Sequence, residues 1–299
     1  MAGFRPTASG PTIPSSAYVA WIAVCLIWGT TYLAIRIALE SIPPLLMTSL
    51  RWMVAGSLIL GVLKLRGETL PSRSSWPQLA ILGVLLMGFG NGGVVWAEQY
   101  IPSGLASVLV AAVPFWMVGV ERFMSDPEPL SARRMIGLLV GFAGIVLLVW
   151  PELKPGVGPS FLLGVGATQL ACLGWAIGSS YSRRRPAQEN VLAAAGLQML
   201  LGGACVLVVA TLVGEWSALA FTPRTTSAVV YLVLVGSIIG FSAYAYALKY
   251  LPVATVSLYA YINPVIAVLL GTAVLDEPLS PRLAVAGAIV LAGMGMVRK

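Results

Sequence analysis

The side chains of this sequence that could bind a small molecule are aromatic and amide groups set inside long apolar stretches. Seven of them stand out: Trp28, Asn91, Trp96, Trp175, Tyr244, Tyr259 and Asn263. Aromatic rings hold apolar or cationic parts of a ligand, and amides bind its polar groups. The pattern therefore predicts a site for an amphiphilic solute. The alternatives are core packing for Trp28 and Trp175 and a hydrogen bond between helices for Asn91.

Two charged residues inside these stretches could also contact a substrate. Arg51 lies about six residues, or roughly 9 Å, inside its stretch, because a helix rises about 1.5 Å per residue. It either attracts a substrate carboxylate or extends its guanidinium to the nearby end of the stretch. Glu98 follows Asn91 by seven residues, on the same helix face. For Glu98 a charge contact and a solvated helix end both remain open.

The sequence lacks the groups that most enzymes use. It contains no histidine, which removes histidine metal sites and histidine proton relays. Its three cysteines, Cys25, Cys172 and Cys205, lie in apolar stretches without Cys-x-x-Cys spacing. No phosphate-binding Gly-x-x-x-x-Gly-Lys-Ser/Thr motif occurs. We predict no enzymatic activity, no metal and no cofactor.

Composition places the candidate residues in a membrane. Hydrophobic residues make up 58% of the 299 residues and charged residues only 10%, against roughly 25% charged in soluble domains. A helix needs about 20 apolar residues to cross the hydrocarbon core. Ten such spans are predicted, at residues 18–38, 45–65, 76–98, 102–121, 133–150, 160–181, 190–213, 224–248, 252–275 and 281–297. Residues 1–17 are polar and predict a short disordered cytoplasmic tail.

The basic residues predict the orientation of the spans. With the N-terminus in the cytoplasm, thirteen Lys and Arg residues fall in cytoplasmic segments and three in outer segments, the bias that membrane insertion favours. We expect a multi-pass protein of the inner membrane with both termini cytoplasmic. The net charge of +7 then reflects orientation, not nucleic-acid binding. A small-molecule substrate and membrane lipid are the expected partners of a monomer or a homodimer.

The second half of the sequence repeats the first. Gln99-Tyr100-Ile101-Pro102 matches Lys249-Tyr250-Leu251-Pro252 at an offset of 150 residues, and the motif Glu-Pro-Leu-Ser recurs at Glu128 and Glu277, 149 residues apart. The two repeats, residues 18–150 and 151–299, hold five predicted spans each. Because five is odd, the second copy enters the membrane from the opposite side. Inverted repeats support two conformations, each open to one side.

A proline stands near the middle of equivalent spans in the two halves. Pro114 and Pro264 are 150 residues apart. Proline removes a backbone hydrogen bond and kinks a helix. We predict that both residues are pivots of a rocking motion, with a passive role in helix shape as the alternative.

Several short motifs resemble those of a known family: Ile27-Trp28-Gly29, Leu50-Arg51-Trp52, Asn263-Pro264 and the two Glu-Pro-Leu-Ser segments. Their order along the chain and their duplication resemble those of EamA-type permeases with two EamA repeats, which belong to the drug/metabolite transporter superfamily. The chain is also similar to amino-acid exporters of the YddG type. The resemblance covers residues 18–298 and implies an all-α membrane protein of ten helices, two inverted five-helix repeats around a central cavity. One departure is Gln198, which stands in the second copy where the first has Arg51.

The resemblance implies export of small metabolites by alternating access. Neutral or aromatic amino acids and related amphiphilic compounds are the expected substrates. A sugar, nucleotide-sugar or drug permease is the alternative within the superfamily, and a channel or a lipid-translocating protein is the alternative from another class. Glu98 is the one acid we place within a span and away from the inner boundary, and it lies near the outer end. A mid-membrane proton relay therefore lacks its groups, which predicts a facilitator without ion coupling.

Overall fold

The computed structural model describes residues 13–123, 131–149, 159–184, 190–251, 253–256 and 258–298. Within those ranges it contains helices and no β-strand, so the predicted all-α class is confirmed. The α-helices are α1 (Ser15–Ala38), α2 (Pro44–Leu65), α3 (Trp76–Leu82), α4 (Gly92–Ala97), α5 (Ser103–Val110), α6 (Val113–Arg122), α7 (Ala132–Val149), α8 (Pro159–Arg184), α9 (Val191–Leu212), α10 (Pro223–Tyr231), α11 (Gly240–Tyr250), α12 (Val253–Val256), α13 (Tyr259–Leu275) and α14 (Pro281–Arg298). Most of the predicted tail, residues 1–12, lies outside the described residues, and α1 already begins at Ser15.

Seven helical stretches are long and apolar enough to cross a membrane: Ser15–Ala38, Pro44–Leu65, Arg73–Ala97, Ser103–Arg122, Pro159–Arg184, Val191–Leu212 and Pro223–Tyr250. Three shorter apolar helices accompany them: Met135–Leu147, Tyr259–Leu275 and Pro281–Met296. These stretches follow the order of the predicted spans. The multi-span membrane fold is confirmed, and the count of ten crossings stays a prediction.

Helices from the two halves of the chain pack against each other in pairs. α2 runs along α9, and α7 runs along α14. Glycines allow the closest approaches: a Cβ added to Gly293 in α14 would lie 2.4 Å from the backbone nitrogen of Gly141 in α7. Lipid provides no hydrophobic drive between helices, so such backbone contacts are a main source of association. The two halves therefore interlock and do not stand as separate bundles.

Two equivalent spans contain a π-helical segment in place of regular α-helix. The segments Gly83–Asn91 and Leu232–Ile239 begin 149 residues apart, which is the offset of the second repeated motif. A π segment departs from the regular hydrogen-bond pattern of an α-helix and often marks a functional site. The first segment ends at Asn91, one of the predicted site residues. Apolar periodicity gave no sign of either segment.

The two matched prolines occupy different helical settings. Pro114 lies in the first turn of α6, after a break from α5, whereas Pro264 lies inside α13. The predicted kink at Pro114 is therefore corrected to an interruption of the helix, because the first turn needs no N–H donor from proline. The thiol of Cys172 donates to the Leu109 carbonyl oxygen beside this break, at 3.8 Å. The pivot role of the two prolines stays a prediction.

Candidate functional site

A cavity of about 540 Å³ is lined by helices from both halves of the chain. Ligand sites for drug-sized molecules occupy about 300–1,000 Å³, so the cavity can hold a small metabolite. It reaches the surface beside Glu121, Arg122 and Arg183, at the ends of α6 and α8. The distribution of basic residues assigns those ends to the cytoplasm. With the orientation predicted from the basic residues, the cavity opens to the cytoplasmic side.

Most of the residues predicted from sequence are brought together in the wall of this cavity. The aromatic and amide members are Trp28, Asn91, Trp175, Tyr259 and Asn263. The other members are Arg51, Pro114 and Pro264. They come from six predicted spans, so the fold gathers side chains that are far apart in sequence. Their role in binding a substrate stays a prediction.

Two of the predicted aromatic residues lie outside the cavity wall. Tyr244 packs behind it, with its ring centroid 5.2 Å from that of Trp28 and 6.0 Å from that of Tyr259. Trp96 stacks on Tyr100 at 4.8 Å between ring centroids. Tyr244 can therefore position the two cavity aromatics, whereas Trp96 lies near the outer end of its span.

Trp28 is the centre of an aromatic cluster at the cavity. Its ring centroid lies 4.9 Å from that of Tyr259, in an edge-to-face arrangement of 86°, and 5.2 Å from that of Phe241. The indole N–H donates to the carbonyl oxygen of Gly236 in the second π segment, at 3.1 Å. A Cβ added to Gly240 would lie only 2.6 Å from Trp28 Nε1. The absence of a side chain at Gly240 therefore allows the indole to sit against α11.

Arg51 is buried beside the same cavity, with 3% of its surface exposed. Its Nε donates to Ser237 Oγ at 2.9 Å and its Nη1 donates to Asn91 Oδ1 at 3.4 Å. The guanidinium carbon also lies 4.3 Å from the centroid of the Trp52 ring. Extension of Arg51 to the membrane interface is therefore wrong. No carboxylate among the described residues lies within 4.0 Å of its guanidinium.

Asn263 and Trp175 are held in place by neighbouring backbone. With its amide nitrogen turned toward α1, Asn263 donates to the carbonyl oxygens of Tyr259 at 3.0 Å and Cys25 at 3.1 Å. Trp175 packs on the first π segment, where a Cβ added to Gly90 would lie 2.9 Å from the indole Cε3. Both side chains therefore present fixed surfaces to the cavity.

Glu98 lies deep in the protein, although its helix ends there. Its exposed fraction is 0%, so the interpretation as a solvated helix end is wrong. Neither carboxylate oxygen has a hydrogen-bond partner. Arg36 Nη1 donates to the main-chain carbonyl of Glu98 and leaves the carboxylate unpaired. The cavity wall does not include Glu98, and contact with a substrate stays a prediction.

The cytoplasmic mouth of the cavity is basic. Arg184 forms a two-fold ion pair with Glu121, at 3.1 Å from Nη1 to Oε1 and 2.9 Å from Nη2 to Oε2. Ser180 Oγ donates to the same carboxylate at 2.6 Å. Arg183 Nη1 also lies 4.0 Å from Glu121 Oε1, so among the described residues of the mouth three arginines, Arg122, Arg183 and Arg184, surround one carboxylate. This field attracts anionic groups from the cytoplasm.

Comparison with known proteins defines the class to which this fold and cavity belong. The model of the EamA-like transporter family matches residues 15–150 and again residues 162–298. The chain therefore belongs to the EamA-like transporter family and contains two EamA repeats. It is a multi-pass protein of the inner membrane. The exact domain boundaries predicted from sequence stay predictions.

Individual relatives agree with this assignment. The inner membrane transporter YedA of Escherichia coli is 38% identical over 267 residues, which cover 87% of this chain and 83% of YedA. Protein PecM of Dickeya dadantii is 27% identical, with 87% and 84% of the two chains covered. A protein of known crystal structure, 24% identical, shares the fold with a TM-score of 0.64 over 94% of this chain and 96% of that one.

Several residues of the site escaped the sequence analysis. Ser237 binds Arg51, and Phe241 completes the cluster around Trp28. Tyr32 and Trp52 also line the cavity. Serine and phenylalanine are common in membrane spans, so their type alone gave no signal. The repeat gave one usable clue, since Phe241 stands 150 residues after Asn91, which is the offset of the motifs at Gln99 and Lys249.

Proposed function

We propose that the protein exports small metabolites that carry a carboxylate beside an apolar or cationic part, by alternating access. Neutral and aromatic amino acids are the foremost members of this class. The observation that carries the proposal is Arg51, a cavity-lining cation with no carboxylate partner among the described residues. Membership in a transporter family supports passage of the solute unchanged, without enzymatic conversion.

The cavity offers complementary groups for the two ends of an amino acid. The carboxylate binds the guanidinium of Arg51, since charge-assisted hydrogen bonds to a planar guanidinium are strong and directional. The ammonium group lies against the rings of Trp28 and Tyr259, where cation–π attraction replaces water. Asn91 and Asn263 supply polar contacts at the edges. An aromatic or aliphatic side chain fills the remaining apolar volume.

The outer side of the protein is closed in this conformation. Glu277, after α13, accepts hydrogen bonds from the N–H groups of Ser103 at 2.8 Å and Gly104 at 3.0 Å. This contact joins the two halves at the end that the basic residues assign to the outside. Because the repeats are inverted, an exchange of their shapes closes the cytoplasmic mouth and opens the outer side. With the orientation predicted from the basic residues, this conformation would load substrate from the cytoplasm.

Exchange in proteoliposomes tests the proposed function. Vesicles preloaded with unlabelled phenylalanine should transiently accumulate labelled phenylalanine from outside, whereas vesicles preloaded with phenylalanine methyl ester should not. The ester retains the ammonium and the ring and lacks only the carboxylate charge. Exchange of a labelled sugar or nucleotide sugar in place of phenylalanine would contradict the proposal and favour the alternative permeases.

A further inference from the structure

Glu98 is a buried charged group that the proposed binding site does not use. It follows α4, its exposed fraction is 0%, and both carboxylate oxygens lack hydrogen-bond partners. An ionised carboxylate is expensive in the protein interior unless it is paired and hydrogen-bonded. A neutral carboxylic acid tolerates the same surroundings. The geometry around Glu98 therefore suits the acid form.

Four ionisable side chains surround Glu98. Tyr32 and Arg36 come from α1, Arg51 comes from α2, and Glu277 comes from the connection between α13 and α14. Three of them are engaged elsewhere. Arg36 donates to the main-chain carbonyl of Glu98, Arg51 donates to other side chains, and Glu277 accepts from the start of α5. None of these groups forms an ion pair within 4.0 Å of the Glu98 carboxylate in the described part of the chain.

Arg51 is the link between Glu98 and the cavity. It interacts electrostatically with Glu98 and also lines the cavity wall. An ionised Glu98 would lower the positive potential at Arg51 and oppose a substrate carboxylate. A neutral Glu98 leaves the full charge of Arg51 to the substrate. Binding of a proton at Glu98 and of an anionic group at Arg51 must then favour each other reciprocally.

We propose that Glu98 is a proton-binding site coupled to the substrate site, so that one proton crosses the membrane with each carboxylate-bearing substrate. The proton is taken from water on one side, forms an O–H bond on a Glu98 oxygen, and returns to water on the other side. The inference rests on the proposed transport of carboxylate-bearing solutes. It replaces the facilitator predicted from sequence, because that prediction rested on the position of Glu98 near the outer end of its span, and the side chain is buried there.

A metal ion fits the site less well than a proton. Sodium-like and larger cations need several oxygen ligands, and the described residues contain no group of three or more His, Cys, Asp or Glu side chains that could hold a metal. Arg36 and Arg51 are positively charged and would also repel a metal ion bound near Glu98. A proton adds no new ligand requirement, because it is bound covalently to the carboxylate.

A pH gradient applied to proteoliposomes tests the coupling. With the interior about one pH unit more alkaline and the voltage clamped at zero, labelled phenylalanine should accumulate up to about tenfold for one proton per substrate. Glu98→Gln should lose this accumulation while phenylalanine exchange without a gradient remains measurable, because an amide imitates the neutral acid. Glu68→Gln, which alters an exposed acid, should accumulate like the unmodified protein.

The outcomes separate the two proposals. Exchange without any pH-driven accumulation overturns the coupling and leaves the proposed function intact. Accumulation that is equal in Glu98→Gln also overturns it. Absence of phenylalanine exchange counts against the proposed function. The proton-binding role of Glu98 is then tested by a second measurement that does not require transport.

Infrared spectroscopy of the detergent-solubilised protein provides that measurement. The C=O stretch of a protonated carboxylic acid should be present near neutral pH in the unmodified protein and in Glu68→Gln. It should be lost in Glu98→Gln. A spectrum without such a band, or one that keeps it in Glu98→Gln, shows that Glu98 holds no proton and overturns the inference.

Discussion

Arg51 donates hydrogen bonds to two side chains, and only one of the two was predicted from the sequence as a site residue. Asn91 was predicted as a site residue because an amide is costly inside an apolar stretch, and it accepts from Arg51 at 3.4 Å. Ser237 accepts from Arg51 at 2.9 Å but was not predicted, since a serine can satisfy its hydroxyl on its own helix. Sequence thus located the charge and one partner. It could not show how the two π segments bring the second partner close.

Replacement of Arg51 tests its contact with the substrate carboxylate. Arg51→Gln introduces the residue found at the matching position of the second repeat. A hydrogen bond to a charged group contributes about 1.5–3 kcal/mol, so the KM for phenylalanine should rise about tenfold or more, as each 1.4 kcal/mol is about tenfold. Concentration-dependent exchange in proteoliposomes measures this change. Arg66→Gln, at an exposed position, should leave the KM unchanged, and an unaltered KM in Arg51→Gln would remove Arg51 from the site.

A methyl group at Gly240 tests the position of Trp28. The added Cβ would lie 2.6 Å from Trp28 Nε1, so Gly240→Ala should displace the indole and weaken exchange severalfold or more. Gly61→Ala is the matched control, because a Cβ there meets no atom within 4 Å and alanine favours the helix by about 1 kcal/mol. Exchange rate and thermal midpoint should be measured on both variants. Equal exchange by both would show that the cluster around Trp28 does not hold the substrate.

At the scale of helices, the lengths of the apolar stretches in the sequence predicted most of the fold. The predicted spans 76–98 and 224–248 correspond to the continuous stretches Arg73–Ala97 and Pro223–Tyr250. The same criterion could not reveal the π segments inside them, since backbone hydrogen-bond register leaves no trace in hydropathy. The break between α5 and α6 was also missed. The proline that marks it, Pro114, is compatible both with a kinked helix and with the start of a new one.

The contact between α7 and α14 should depend on one glycine. A Cβ at Gly293 would lie 2.4 Å from the Gly141 nitrogen, whereas a Cβ at Gly287 on the same helix meets only the Val108 side chain, at 3.6 Å. Gly293→Ala should therefore separate the two helices and lower the thermal midpoint in detergent, at a cost of about 1–3 kcal/mol as for other overpacked positions. Gly287→Ala should stay near the original midpoint. The reverse order would contradict this packing.

At the scale of the whole molecule, the orientation in the membrane rests on the distribution of basic residues. In a background without Cys25, Cys172 and Cys205, Ser217→Cys should react with a membrane-impermeant thiol reagent added outside intact cells. Glu68→Cys should react only after the cells are opened. Both positions are exposed, so reactivity reports sidedness. The opposite pattern would place the cavity mouth on the outer side and reverse the loading direction.

Coupling at Glu98 would change how the whole molecule uses its two conformations. Each substrate that leaves would carry a proton out against an inward proton gradient. Net export would then begin only when the internal excess of substrate outweighs that gradient, at about 1.4 kcal/mol for each tenfold ratio. A facilitator has no such threshold. Below that ratio the inward proton gradient would drive net uptake, so net export would be confined to high internal substrate levels.

Arg51 has no counterpart in the second repeat, where Gln198 occupies the matching position. A fully two-fold cavity would offer a bound molecule two equivalent poses, whereas a single guanidinium fixes one. A carboxylate at Arg51, an ammonium on the face of Trp28 and a side chain in the remaining volume define three directions from one carbon atom. Three such directions distinguish a molecule from its mirror image. The loss of symmetry at one position of a duplicated chain thus gives the proposed substrate a single pose, in which L- and D-amino acids cannot place all three groups alike.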